Sequence, residues 1–320
     1  MKKIKYGVLS TANVGSRFIN AIKESDMGSL HAVSSRDINK AKVMAEKYGN
    51  IKYYGSYEEI CKDCDIDVIY VPTINKAHFD NVNLALDNNK HVVCEKPITL
   101  SENHTKKLFK KAKSKNLFLM EAQKSVFLPV TLKAKELIFS GEIGEIKFLD
   151  YKIFPGYPDF KWFFDRESGG GAITGSVSYI IHHSEFLLDS KVENYSGHST
   201  YRGKEIDFQT NMNFKFENEV LLNGVISVLV KEKSMATIYG SKGKIEITDF
   251  WKADTLKIIK NTDETEIFNF PFNYEMVYEV NHINECIKKG LIESPVMTRE
   301  MSLRGSKITE NLRKVNINID

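Results

Sequence analysis

Across its first 120 residues the chain alternates short apolar runs with longer segments of helical period, and this alternation restricts the fold more than any single motif. "IKYGVL" reads as a buried strand, "NVGSRFINAIKES" as a helix, "LHAVSS" as a strand, and "DINKAKVMAEKYG" as a helix with Asp37 at its start and Gly49 at its end. The pattern continues through "KYYG", a short helix opened by the capping box Ser56-x-x-Glu59, "DVIYV", a helix in "AHFDNVNLALDNN", "HVVCE", a helix opened by Thr99-x-x-Glu102, and "LFLMEA". Strands separated by helical segments of this length require right-handed crossovers. The expected result is a Rossmann-type, doubly wound parallel sheet with helices on both faces.

Ligands of such a sheet bind outside the carboxyl ends of its strands, and the first of these ends is "YGVLSTANVGSRF". A dinucleotide fingerprint would read G-x-G-x-x-G, whereas here the three positions are Ser10, Ala12 and Gly15. Gly15 keeps the role of letting the first helix approach the sheet. Serine at the first position costs little if its φ is negative, and a methyl at Ala12 leaves the N–H groups of the helix start available to an anion. Ser10, Thr11, Ala12, Asn13 and Val14 are therefore the candidate pyrophosphate cradle. At the end of the second strand, where an acid would bind an NAD ribose, stand Ser35 and Arg36, with Lys40 one turn on. A guanidinium and a hydroxyl suit the 2′-phosphate of NADP, although Arg36 as a solvated surface residue, or Asp37 serving NAD, stays open here.

A third strand end carries "HVVCEKPITL". Pro97 fixes its own φ and keeps Lys96 out of helical geometry, which gives a lysine at the crevice lip a defined position from which to stabilise charge on a reacting oxygen, although on these residues alone an ordinary surface Lys-Pro pair is the commoner reading.

The remainder of the chain has another period. From about Glu145, "DFQTNMNFKF" alternates apolar and polar residues, and "EVLLNGVISVLV", "SMATIYG", "GKIEIT", "TLKIIK" and "ETEIFNF" follow at hairpin spacing. This predicts an open, mostly antiparallel sheet with helices on one face, closed by two helices around "EMVYEVNHINECIKKG" and "REMSLRGSKITENLRK". The fold class is thus α/β followed by α+β, with a dinucleotide-binding domain over 1–121 and a substrate-binding and dimerisation domain over 122–320.

Composition excludes several partners. Lys and Arg number 45 against 42 Asp and Glu and are scattered, which gives no reason to invoke nucleic acid or an anionic membrane. The longest strand-like apolar run, "VISVLV", is far short of the ~20 residues of a membrane span. A soluble, cytoplasmic protein is expected. Of the four cysteines, Cys61 and Cys64 form a C-x-x-C without the further ligands of a zinc site, and no metal is expected.

In the order and spacing of "YGVLSTANVGSRF", "SSRDINKAKVMAEKYG", "VPTINKAHFDNVNLAL", "KHVVCEKP", "LFLMEAQKSVFLP", "SGEIGEI", "ESGGGAITGSVSYIIHHSEFLL" and "YGSKGKIEI", the chain resembles the Gfo/Idh/MocA family of glucose-fructose oxidoreductases and inositol dehydrogenases. Within it, the chain looks most similar to the dimeric dihydrodiol dehydrogenase branch. The resemblance implies that Lys96 is the active-site lysine, that Thr73, Asn75 and His78 line the cofactor groove with Glu95 on the next strand, that Trp162 approaches the nicotinamide end, and that Gln123 lies near the cofactor. Family members commonly carry Asp and Tyr or His four residues apart after a triple glycine. Here Tyr179 takes the second position and Gly175 the first, on a segment whose apolar residues Ile173, Val177, Ile180 and Ile181 support a helix.

These readings combine into an NADP-dependent oxidoreductase that moves hydride between nicotinamide and a small hydroxyl or carbonyl compound, sugar-, polyol- or dihydrodiol-like. Lys96 and Tyr179 are its candidate catalytic residues, and a homodimer through the C-terminal sheet is expected. Two alternatives are an NAD-dependent sugar or polyol dehydrogenase, and a nucleotide-binding regulatory protein that has lost catalysis with the Asp. His182 and His183, three and four residues past Tyr179, read as one satisfied and one exposed helix histidine or as a proton relay.

Overall fold

The computed structural model describes residues 3–202 and 206–315. The chain divides into two compact units, Met1–Gln123 with Tyr274–Ser306, and Lys124–Asn273 with Lys307–Asp320.

In the first unit, strands β1 (Ile4–Leu9), β2 (Gly28–Ser34), β3 (Lys52–Tyr54), β4 (Val68–Val71), β5 (His91–Glu95) and β6 (Leu119–Ala122) alternate with helices α1 (Asn13–Glu24), α2 (Ile38–Lys47), α3 (Tyr57–Lys62), α4 (His78–Asp87) and α5 (Glu102–Ser114). The strands pair in parallel in the order β3-β2-β1-β4-β5-β6, so the chain reverses direction across the sheet between β1 and β4. Burial on both faces explains the near-continuous apolar runs, as in β4, where all of Val68, Ile69, Tyr70 and Val71 are inaccessible.

Local capping follows the sequence in two places and departs from it in a third. Asp37 accepts from Asn39 N at 3.0 Å, and Ser56 Oγ accepts from Glu59 N at 3.2 Å. The expected cap at Thr99 is not made: α5 begins two residues later, and the Thr99 hydroxyl instead donates to Ser101 O at 2.7 Å and pairs with Thr105 Oγ1 at 2.8 Å. Cys61 is buried in α3 while Cys64 is exposed beyond its end, and both are free thiols.

The second unit contains α6 (Pro129–Phe139), β7 (Ile146–Ile153), α7 (Ala172–Leu188), β8 (Val192–Arg202), β9 (Ile206–Phe216), β10 (Leu221–Ser227), β11 (Met235–Gly240), β12 (Gly243–Thr248), β13 (Thr255–Lys260) and β14 (Thr265–Asn269). These strands form an eight-stranded sheet in the order β14-β13-β12-β11-β7-β10-β9-β8, parallel only between β7 and β10. Leu149, Tyr151 and Ile153 of β7 and Leu222 and Ile226 of β10 are buried on the face that α7 covers. A Cβ at Gly224 would lie 3.2 Å from Ile180 of α7, so glycine lets that helix sit close over β10. On the opposite face, Phe148, Tyr239, Leu221 and Ile267 stand exposed among Asn211, Asn213 and Asn223.

Helix α8 (Val277–Lys288) returns to the first unit, a step that a linear boundary after residue 121 does not contain. Its polar side chains hold it there: Asn284 Oδ1 accepts from the Tyr6 hydroxyl at 2.7 Å, and Glu279 Oε1 accepts from Gln123 N at 2.6 Å. Helix α9 (Arg299–Val315) ends the described chain and is divided between the units. Among the described residues, no helix is long and apolar enough to cross a membrane.

Candidate functional site

Where β1 ends, the backbone turns through Ser10 at φ 75°, the left-handed region. This is the conformation for which a fingerprint uses glycine, so the serine is not the low-cost replacement that a negative φ would have made it; an L-residue there costs roughly 1–2 kcal/mol. Part of that cost is offset locally, since Ser10 Oγ accepts from Ala12 N at 3.2 Å. Ala12 is extended, and α1 then starts at Asn13 with no side chain capping it. Thr11, Ala12 and Val14 are half-buried and Asn13 exposed around a helix start whose partial positive charge suits an anion. A Cβ at Gly15 would meet Pro72 at 3.5 Å and Val8 at 3.6 Å, ordinary contacts that leave space for one methyl.

At the end of β2, Ser35 is buried, its N–H donating to Tyr54 O at 3.2 Å and its Oγ accepting from Asp37 N at 3.2 Å. Arg36 and Lys40 are exposed. The Asp37 carboxylate is engaged in capping α2. A groove of about 390 Å³ lies between the starts of α1 and α2, lined by Thr11, Ser16, Asn39, Lys40, Val43 and Lys47 among others. The phosphate-turn residue Thr11 and the basic Lys40 thus share one concavity, while Arg36 is not part of its lining.

Around Lys96 the backbone is tied on every side. The Lys96–Pro97 bond is cis. Before it, the Glu95 carboxylate accepts from the Tyr70 hydroxyl, and the Tyr70 ring stacks on Phe18 of α1 with centroids 3.7 Å apart. After it, Ile98 N donates to Glu121 Oε1 at 3.2 Å, and Cys94 Sγ lies 3.7 Å from Ile98 O. His78 Nδ1 lies 2.9 Å from Pro97 O and its Nε2 2.9 Å from Thr73 O. His78 is inaccessible to solvent, so it supports the two strand-end segments from within the unit. Burial lowers its pKa below the ordinary value, against the two carbonyls and the Glu95 and Glu121 carboxylates, which raise it. Thr73 Oγ1 accepts from Asn81 Nδ2 at 3.0 Å, and Asn75 and Gln123 are buried. Lys96 itself is half-buried.

Tyr70, Asn81 and Glu121 are absent from the candidates read in the sequence. The signal for Glu121 was present: it is a carboxylate inside the apolar strand "LFLMEA", a position a buried strand gives up only to a satisfied group.

In the second unit, the triple glycine has a steric cause. A Cβ at Gly170 would stand 2.1 Å from Phe163 O, and one at Gly171, where φ is 105°, would stand 2.1 Å from Asp207 Oδ1. Asp207 fills the place a local cap would take: its buried carboxylate accepts from Ile173 N at 2.6 Å in the first turn of α7. Burial raises its pKa, while the helix-start N–H groups and Arg313 pull it back.

One turn on, nothing lies within 4 Å of where a Gly175 Cβ would be. Tyr179 is half-buried, its ring stacked against Trp251 with centroids 5.7 Å apart. Trp162 stacks on Phe160 at 5.0 Å in a short 3₁₀ turn at Lys161–Phe164.

The histidine pair differs from the expectation that one is exposed, because α6 and the sheet pack around α7 and both rings are inaccessible. His183 lies 2.7 Å from the Tyr151 hydroxyl and 3.2 Å from Thr131 Oγ1, and burial drops its pKa to about 3. A ring so depressed stays neutral across the physiological range, with one N–H and one bare nitrogen.

A doubly wound sheet with an uncapped helix start after β1 is the frame of a nucleotide-binding protein. Residues 4–123 match the Gfo/Idh/MocA oxidoreductase family with its NAD-binding Rossmann fold, and residues 131–246 match the C-terminal domain of the same family. The chain therefore belongs to the Gfo/Idh/MocA oxidoreductases and is an NAD(P)-binding enzyme. It is 31% identical over 306 residues to trans-1,2-dihydrobenzene-1,2-diol dehydrogenase of Xenopus laevis, covering 92% of each chain. To the enzyme of the same name from Homo sapiens it is 27% identical over 322 residues, covering 97% of this chain and 96% of that one. A 3-ketoreductase from Actinomadura kijaniata, solved with NADP and TDP-benzene, shares the fold at TM-score 0.87 and 22% identity over 98% of both chains. So does an aldose-aldose oxidoreductase from Caulobacter crescentus, complexed with glycerol, at TM-score 0.89 and 20% identity over 98% and 97%.

Proposed function

We propose that the protein is an NADP-dependent oxidoreductase that interconverts a small cyclic alcohol and its carbonyl form, dihydrodiol-like in preference to sugar- or polyol-like. The observation that carries this reading is the turn at Lys96, whose neighbours on both sides are held by Tyr70 and Glu121 of the sheet and by His78 at the start of α4. Such anchoring is what a side chain needs in order to act at a fixed point in a reaction.

The residues at the ends of β1 and β2 fit a phosphorylated dinucleotide. The uncapped start of α1 would take the pyrophosphate, and Lys40, sharing the groove with Thr11, supplies a cation for a 2′-phosphate. Bound nicotinamide supplies or takes the hydride. Lys96 is assigned the role of stabilising, by its ammonium, the negative charge that grows on a reacting oxygen during reduction, and Tyr179 that of a phenol able to give up a proton. In the direction of oxidation, the same phenol oxygen, having lost its proton, receives the one the alcohol gives up.

The substrate preference rests on Gly175 and Trp251. The space at Gly175 lies on the same helix face as Tyr179, one turn away, without the carboxylate that would hold a polyol hydroxyl. The indole beside Tyr179 favours a substrate with an apolar ring face. The relatives that act on trans-1,2-dihydrobenzene-1,2-diol agree with this preference. Turnover tests it: oxidation of trans-dihydrodiols with NADP should exceed that of hexoses and inositols, and the reverse order would overturn the preference.

Two further parts belong to this reading. The exposed Phe148, Tyr239 and Leu221 on the uncovered sheet face support a homodimer through that face. The absent carboxylate at Gly175 favours, as a second reading, a nucleotide-binding protein without catalysis. That reading predicts tight NADPH binding and no reduction of any carbonyl in a broad panel.

A further inference from the structure

The surroundings of His78 pose a problem of proton bookkeeping. Its two ring nitrogens each lie 2.9 Å from a backbone carbonyl oxygen, Pro97 O on one side and Thr73 O on the other. A carbonyl oxygen only accepts. A neutral imidazole has one N–H and one bare nitrogen, so one of the two contacts would set lone pair against lone pair inside the protein, where water cannot step in. Only the imidazolium, with an N–H on each nitrogen, makes both contacts attractive. The ring is inaccessible to solvent, and the charged groups that act on it are carboxylates: Glu95 at the end of β5 and the buried Glu121 of β6.

The two carbonyls also hold a particular place in the fold. Thr73 follows β4 and Pro97 follows β5, and these strands are neighbours paired in parallel. Their carboxyl ends open on the crevice where a doubly wound sheet binds its ligand. His78 therefore ties together two adjacent strand-end segments, one carrying Thr73 and Asn75 and the other Glu95 and Lys96.

We infer that His78 is a proton-operated brace, a positioning residue that, when doubly protonated, locks the segments after β4 and β5 together and so favours cofactor binding. In the neutral ring one of the two contacts is lost, either the one across to Pro97 O or the one to Thr73 O that fixes the ring within its own segment, and the tie is weakened in both cases. Burial moves the titration to the acid side of an ordinary histidine, so affinity should rise as pH falls through that range. If binding selects the braced state, each cofactor molecule brings up to one proton with it. The rise in affinity is then at most about tenfold per pH unit. This effect on affinity rests on the nicotinamide reading above; the ring's ability to carry two protons does not.

Two measurements on the full chain test the inference separately. In the first, the ring nitrogens of nitrogen-15 histidine-labelled protein are followed through an acid titration. Both His78 nitrogens should become protonated while the remaining spectrum stays folded. A ring that keeps one bare nitrogen at every pH where the chain is folded would overturn the brace, whatever the cofactor is. In the second, NADPH affinity is measured against pH for the wild type and for His78→Gln, whose amide can donate toward only one of the two carbonyls. Titrations of the nucleotide itself are common to both proteins and cancel. The wild type should show the acid-side gain and the variant should lose it; the same gain in both would overturn the inference. Should His78→Gln not fold, proton uptake on NADPH binding, read by calorimetry in two buffers of different ionisation enthalpy, takes its place, and absence of uptake would count against the brace. If the folded protein binds no nicotinamide nucleotide, the proposed function falls while the nitrogen titration still decides the state of the ring.

Discussion

The turn after β5 and the first half of α7 carry the two candidate catalytic side chains, Lys96 and Tyr179, and they are held by different means. Around Lys96, polar groups hold its neighbours: Tyr70 donates to the Glu95 side chain, His78 meets the Pro97 carbonyl, and Glu121 takes the N–H of Ile98. Around Tyr179 the helix start is fixed by close sterics at Gly170 and Gly171 and by Asp207, but the next turn is left open at Gly175. Hydrogen-bonded backbone fixes the position of a side chain whatever the substrate. An open turn beside an aromatic pair leaves the shape of the site to a few residues that can change without disturbing the fold. In the proposed reading, the first arrangement serves the chemistry and the second the choice of substrate.

The largest effect should come from filling the tight start of α7. Gly170→Ala would drive a methyl into Phe163 O and should destabilise the second unit by about 3 kcal/mol or more, read from denaturant unfolding. A loss below about 1 kcal/mol would show that this helix start yields as readily as the Gly175 turn.

Acid should act next most strongly, through His183. Its folded pKa of about 3 lies below the ordinary value, so the unfolded chain binds a proton that the folded chain refuses. The contribution to stability is complete above the ordinary histidine pKa and is lost as pH falls from there toward about 3, by at most about 1.4 kcal/mol per pH unit. Comparing unfolding midpoints of the wild type and His183→Gln across this range should show a shallower acid dependence in the variant. Equal slopes would mean that the ring is charged in the folded helix.

Ser10→Gly should stabilise the first unit by about 1 kcal/mol by relieving the left-handed serine, less the hydrogen bond lost from Ala12 N. Thermal unfolding checks the sign, and a destabilised variant would show that this turn, too, depends on its side chain. The smallest change in stability is expected for Gly175→Ala, a gain of up to about 1 kcal/mol from helix propensity in space that is already empty. Gly175→Asp sharpens the comparison further: it should raise turnover of polyols relative to dihydrodiols and leave NADPH affinity unchanged.

The sequence made visible those parts whose cause is local. Strand and helix periods and the caps at Asp37 and Ser56 depend on residues a few positions apart. What it concealed depends on distant pairs. Asp207 reaches Ile173 across 34 residues, and His78 meets Pro97 across 19, so neither neighbourhood advertises the contact. The return of α8 to the first unit rests on Asn284 and Glu279, polar residues that read as an ordinary helix surface until Tyr6 and Gln123 are found opposite them. The expectation of a negative φ for Ser10 followed serine's ordinary preference, which the turn after β1 overrides, and the burial of both His182 and His183 follows from α6 packing on a helix that already faces a sheet.

The most direct test of the account is NADPH oxidation by wild type and Lys96→Ala in the presence of a panel of small cyclic carbonyl compounds. The account predicts measurable turnover by the wild type, a loss of at least about a hundredfold in kcat for the variant, and near-normal NADPH binding in both. Turnover that survives in Lys96→Ala would contradict it.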